Sequence, residues 1–273
     1  MKNKRKLIFT SIAQFLLLAA ILVPAVSLFL WVFTERWAWP DLVPQVFSKR
    51  AILEAAGRKK ELLQIVGSSV LISTVVAALS AVIGIMTARA ILLYRFPGKE
   101  LMYFFTILPF MVPATVFAMG IQVTFIKMGL NNRMTGVILA HLICSLPYAV
   151  RLIMDGTAAV GSSLEEQARV LGASPFQAFY KTTLPMLMPV ILSAVSMSYI
   201  VSFSQYFLTL LIGGGKVQTF AVIMVPYLQS GNRNIACIYS ALFLGVTLLV
   251  FGMFEGAAGH WIKNGGGEFY TSK

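Results

Sequence analysis

Groups able to do chemistry are few in this sequence and poorly placed for catalysis. There are two His, His141 and His260, and two Cys, Cys144 and Cys237. The histidines are too few to build a metal site on their own, and the cysteines form neither a CxxC pair nor a disulfide framework. Gly213–Gly215 and Gly265–Gly267 are glycine runs without the spacing of a nucleotide-binding loop. Gly161-Ser162-Ser163 offers hydroxyls with no His placed to activate them. No cofactor and no catalytic residue is expected, and any ATP chemistry must live on a partner. What remains is polar groups in apolar surroundings. His141 sits inside an apolar run. Ser198, Ser202 and Gln205 recur at i, i+4 and i+7, with Tyr199 and Tyr206 beside them. Such a wet stripe on a helix either joins helices or lines a route for a polar solute.

The elements that carry these residues are dictated by composition. Of 273 residues, 58% are hydrophobic and only 12% charged, with mean hydropathy +0.81. An ordinary soluble domain carries about 25% charge. A soluble monomer of this size could not cover so much apolar surface, and a disordered chain would not contain it. The fold class expected is all-α: a polytopic membrane protein. The formal net charge of +12 then reads as loops facing anionic lipid rather than as a nucleic-acid surface.

Six stretches lack Asp, Glu, Lys and Arg and are long enough to matter: Leu7–Phe33, Leu62–Ala88, Leu101–Ile126, Met134–Val150, Thr182–Gly215 and Asn234–Phe254. A bilayer core about 30 Å thick takes about 20 helical residues. Met134–Val150 is near the lower limit. Thr182–Gly215 is too long, so Leu187–Ile212 is taken as its span. Leu7–Phe33 follows Lys2, Lys4, Arg5 and Lys6, but its apolar run exceeds the about 7–15 residues of a signal peptide, so an uncleaved first helix is expected. The positive-inside rule puts both termini in the cytoplasm, with the basic loop Thr34–Glu61 as the feature that opposes it. Trp31, Trp37 and Trp39 suit an interfacial belt, and Ile52–Leu63 has the spacing of an interfacial helix. One transmembrane domain over 1–273 is expected: a first helix and extracytoplasmic loop over 1–61, a five-helix core over 62–254, and a cytoplasmic loop over 151–184 within it.

The loop Arg151–Lys181 differs from the rest. Ser163 with Glu166 and Ser174 with Gln177 fit two capping boxes, the second with Pro175 at the first helical position. Gly172 stands where the first helix must end. The spacing predicts a helix over Leu164–Leu171, a turn at Gly172–Ser174 and a second helix over Pro175–Thr182. Leu164, Ala168 and Leu171 share one face of the first, and Phe176, Phe179 and Tyr180 give an aromatic face to the second. Such an elbow either packs on its own bundle or docks another protein.

Glu166-Gln167-Ala168, Gly172 and Leu184-Pro185 match, without gaps, the motif EAA-x3-G-x9-I-x-LP. On these residues the chain resembles the permease subunits of binding-protein-dependent ABC importers. Gln167 departs from the first Ala and Thr182 from the Ile. Arg95-Phe96-Pro97-Gly98 and the prolines Pro109 and Pro113 are also similar to the family, and the likeness covers roughly Leu62–Phe254. The resemblance implies six transmembrane helices with a coupling elbow between the fourth and fifth. It implies a second permease subunit, a cytoplasmic ABC ATPase dimer that receives the elbow, and an extracytoplasmic solute-binding protein. It assigns ATPase coupling to Glu165, Glu166, Gln167, Ala168, Gly172, Ala173, Leu184 and Pro185, and a bacterial-type inner membrane as location. Ser202–Gly231 looks most like permeases of the polyamine group. The translocation route is expected along His141, Ser198, Ser202, Gln205 and Tyr206. No acidic residue lies in any span, so a polycation would have to be recognised elsewhere. The alternative is a self-sufficient carrier or channel.

Overall fold

The apolar runs fold as helices because backbone N–H and C=O groups in oil can be satisfied only within the segment. The computed structural model describes residues 2–261 apart from Trp39 and Leu42. Trp39 of the expected aromatic belt, and Lys263, Gly265–Gly267 and Lys273, lie outside the described residues. Among the described residues, five helices are long and apolar enough to cross a bilayer, and a bent helix pair supplies a sixth when counted as one span.

The chain divides into two compact units. The first comprises residues 1–63 and 223–245. It holds α1 (Lys2–Val32), a two-stranded antiparallel ribbon of β1 (Thr34–Arg36) and β2 (Val46–Phe47), and α2 (Arg50–Gly57). It also takes most of α11 (Phe220–Gln229) and the start of α12 (Arg233–Trp261). Val32, Ala51 and Ile238 form its small core. The Asn234 amide donates to the carbonyls of Trp31, Val32 and Thr34, closing the open C-terminal end of α1. Trp31 stacks on Trp37 at 5.2 Å, and Arg233 lies 5.3 Å over Trp31. The interfacial helix expected over Ile52–Leu63 is divided instead. It runs from Arg50 to Gly57, and Lys59 already begins the next helix.

The second unit comprises residues 64–222 and 246–273. It contains most of α3 (Lys59–Leu93), then α4 (Lys99–Met111), α5 (Ala114–Lys127), α6 (Met134–Val160), α7 (Ser163–Val170), α8 (Pro175–Ala178), α9 (Leu184–Phe203) and α10 (Phe207–Gly213). Ile72, Val76, Ala118, Phe125, Val137, Ala140, Leu208 and Ile212 form its principal core. The helices α6 and α9 approach closely at Gly156, where a Cβ would stand 2.9 Å from the Val190 methyls.

Three expected spans change. Leu101–Ile126 is two helices bent by 114°. Pro113 lacks an N–H and drives Val112 into the extended conformation (φ −97°, ψ 131°), which ends α4. The fourth span does not stop at Val150. It continues past Arg151 and Asp155, which pair at 3.4 Å on its surface, to Gly161 at φ +70°. Leu187–Ile212 is interrupted at Ser204–Tyr206. No proline or glycine lies at that break. Leu208 and Ile212 of α10 are buried in the principal core.

Candidate coupling elbow and polar helix break

Helix α7 begins at Ser163 with Ser162 as its cap residue, and no side-chain capping bond forms there. The capping box expected from Ser163 and Glu166 is therefore absent. With Ser162 as the cap, Glu165 occupies the position that would reach back to it. Glu165 is engaged elsewhere. One carboxylate oxygen accepts from Arg89 Nη2 at 2.9 Å and the other from Thr183 Oγ1 at 2.9 Å. The Arg89 guanidinium also lies 4.5 Å over the Phe179 ring. Partial burial pushes the Glu165 carboxyl up. The bonds from Arg89 and Thr183 more than offset this and hold it below the usual carboxylate range.

The turn forms as the sequence predicts. Gly172 takes φ +95°. Its N–H donates to Arg169 O at 3.0 Å, and Ala173 N–H donates to Ala168 O at 3.0 Å. These paired bonds satisfy the last carbonyls of α7 and require the left-handed residue between them. Ser174 and Gln177 then form the expected capping box, with N–H to Oε1 at 3.1 Å and N–H to Oγ at 3.3 Å, and Pro175 opens α8.

The second elbow helix does not stop at Thr182. Phe179–Thr183 forms a π turn that leads directly into α9. Pro185 has no N–H to give and its ring crowds the carbonyl four residues back, so wider winding just before it removes the conflict. Thr182, where the motif has Ile, donates its hydroxyl to the Ala178 carbonyl. Leu184 packs beside the cluster of Ala81, Leu187 and Ile191, and Pro185 is half-buried.

Exposure divides the elbow residues. Glu166 and Gln167 are exposed, Ala168 and Ala173 half-buried. Val170 and Leu171 are 87% and 89% exposed, so Leu164, Ala168 and Leu171 do not share a covered face. Phe176 and Tyr180 stack at 6.0 Å on the surface, whereas Phe179 turns away beneath Arg89. Glu166, Arg169, Val170, Ala173 and Pro175 line a shallow hollow of about 470 Å³. Arg89 and Thr183 are the site residues that sequence reasoning missed. Arg89, as the one basic residue between the second apolar run and Arg95, was the signal available.

The polar stripe resolves differently. His141, Ser198 and Ser202 are buried. His141 Nδ1 meets Ser202 Oγ at 2.9 Å, and Nε2 meets Thr209 Oγ1 at 2.8 Å. Thr209 donates its one hydroxyl proton to Gln205 O at 2.8 Å. It can therefore only accept from the ring, which puts the imidazole proton on Nε2 and makes Ser202 the donor to Nδ1. The chain of bonds runs from α9 through α6 to α10 and spans the break. Gln205 lies beyond the end of α9, so it does not continue the helical face of Ser198 and Ser202; it and Tyr206 are half-exposed within the break. Ser145 Oγ donates to Ser198 O at 3.4 Å.

Bent and broken helices around a buried polar link, with an exposed elbow between two long spans, define a multi-pass transport subunit. The family model described as binding-protein-dependent transport system inner membrane component matches residues 80–257, and the chain belongs to that family. It is thus an inner-membrane permease of the ABC importer type, not an enzyme; its ATPase is a separate subunit, and a binding protein is its other class of partner. This membership replaces the alternative of a self-sufficient carrier or channel. Similar curated proteins include the molybdate/tungstate transport system permease protein WtpB of Thermococcus kodakarensis, 29% identical over 192 residues, 69% of this chain and 77% of the relative. The sulfate transport system permease protein CysT of Salmonella typhimurium is 25% identical over 197 residues, 67% of this chain and 71% of the relative. The spermidine/putrescine transport system permease protein PotC homolog of Mycoplasma genitalium is 28% identical over 186 residues, 67% of this chain and 65% of the relative. In fold, a chain from the crystal structure of a bacterial ABC transporter involved in the import of the acidic polysaccharide alginate matches with TM-score 0.63 at 15% identity, over 93% of this chain and 98% of that one.

Proposed function

We propose that the elbow over residues 163–183 is the element through which a cytoplasmic ATPase drives this permease. The observation that supports it is the exposure of Val170, Leu171, Phe176 and Tyr180 on a segment whose central turn carries paired backbone bonds and a capping box. Large apolar side chains held rigidly in water fit a partner's groove. Glu166 and Gln167, beside them, supply polar contacts at the rim. Two permease subunits, identical or homologous, enclose the route. Gln205 and Tyr206 line it, and His141, Ser202 and Thr209 hold the break that presents them. The test is purification from native membranes: an ATPase should accompany the chain in stoichiometric amount, and its absence would overturn the reading.

Both termini and the elbow face the cytoplasm in this proposal. The N-terminal basic cluster supports it, and the basic first loop is the segment that must then lie outside. In a background with Cys144 and Cys237 replaced, Ser48→Cys should react with an impermeant maleimide on intact cells. Reaction only after permeabilisation would reverse the orientation.

The six uncharged apolar runs carry no acidic residue, so a polycation would have to be recognised by the binding protein or the partner permease. A polyamine is supported by the Ser202–Gly231 stretch and by the spermidine/putrescine relative. An oxyanion is supported by the molybdate/tungstate and sulfate relatives and by the absence of acidic residues from the uncharged apolar runs. Calorimetry on the cognate binding protein with molybdate, sulfate and spermidine side by side decides between them.

A further inference from the structure

Helix α7 buries none of its side chains among the described residues. A helix of this length is marginal in water, and its direction is normally fixed by packing. At its C-terminal end the paired bonds of Gly172 and Ala173 hold it to the turn before α8, so that α7 and α8 move together, but no buried side chain ties α7 to the membrane helices. Gly161 and Gly172 stand at its two ends, both at positive φ, and glycine is the most permissive hinge. The strong polar tie is Glu165. Its carboxylate reaches Arg89 on α3 and Thr183 in the π turn that begins α9. Arg89 is 76 residues away in sequence. The two charged side chains are only 14% and 15% exposed, so solvent screens the pair less than a surface pair. The Phe179 ring supports the guanidinium from below.

We infer that Arg89 is a positioning residue: through Glu165 it orients α7, and so sets the direction in which Glu166, Val170 and Leu171 meet the ATPase. The same tie joins the elbow to two transmembrane helices, so a displacement of α7 pulls on α3 as well as on α9. This rests on the elbow being the ATPase contact.

The experiment has two arms. A nitroxide is attached at Gln167→Cys in a background lacking Cys144 and Cys237, and its mobility is measured in lipid nanodiscs. The label should be constrained in the parent. It should become more mobile in Arg89→Met and in Glu165→Gln, and their double variant should be no more mobile than the worse single, because both remove one tie. Arg89→Lys, which keeps the cation, should fall between. In the second arm, the ATPase that accompanies the unlabelled chain should drop about tenfold in both single variants, with chain yield unchanged. A label in Arg89→Met as constrained as in the parent, or additive effects in the double variant, would overturn the inference. If Arg89→Met is not recovered monodisperse, Glu165→Gln and Arg89→Lys decide by the same criteria. If the parent itself brings no ATPase, the elbow reading fails, while the label still decides whether Arg89 orients α7.

Discussion

Gly172→Val is expected to give a permease that inserts normally, loses its ATPase and no longer transports. The space around Gly172 is open, with no atom within 4 Å of an added Cβ, so steric fit is not the constraint. Backbone conformation is. At φ +95° a β-branched residue is strained by roughly 1–3 kcal/mol. The chain can relieve this only by giving up the paired bonds from Gly172 and Ala173 that end α7. The direction from α7 to α8 then changes, and the exposed apolar residues on either side of the turn cease to form one surface. The transmembrane helices do not depend on the turn, so yield and thermal stability should stay near the parent. Asn enters the left-handed region more readily than Ala or Val, so ATPase recovery should fall in the order Gly, Asn, Ala, Val. A Val variant that keeps its ATPase and transports at parental rate would remove the elbow from the coupling path.

His141→Leu is expected to lower thermal stability and to cut transport while ATPase recruitment persists. Leucine is close in size but cannot bond. It leaves the Ser202 hydroxyl and one acceptor site of Thr209 unpaired in a buried place, at about 1–3 kcal/mol for each unsatisfied group. The break at Ser204–Tyr206 loses the link that ties α9 to α10, so Gln205 and Tyr206 are no longer held. His141→Gln, whose amide can reach one of the two hydroxyls, should be intermediate on both measures. The elbow is untouched, so the ATPase should still co-purify. Parental transport in His141→Leu would show that the network is packing alone. Ser202→Trp is a poor probe of the route, because Ser202 is only 2% exposed and indole would not fit. Substitutions at Gln205 and Tyr206 test it instead.

What the sequence determined by itself is what local physics controls. Uninterrupted apolar runs made the chain a helical membrane protein. Gly172 and the Ser174–Gln177 pair placed the turn and the start of α8, because helix ends are satisfied by groups within a few residues along the chain. Pro113 marked the bend between α4 and α5 for the same reason. Only the tertiary structure decided choices that are locally degenerate. Glu165 and Glu166 are neighbours of identical chemistry, yet Arg89 draws one inward and leaves the other in solvent. Ser162 caps α7 without a box because Glu165, the glutamate that would complete it, is engaged by that same arginine. Ser198, Ser202 and Gln205 share a helical spacing, but the helix ends before Gln205, and Ser202 is buried in the His141 link that spans the break. Each of these outcomes depends on a partner dozens of residues away, and periodicity carries no information about which distant side chain will arrive.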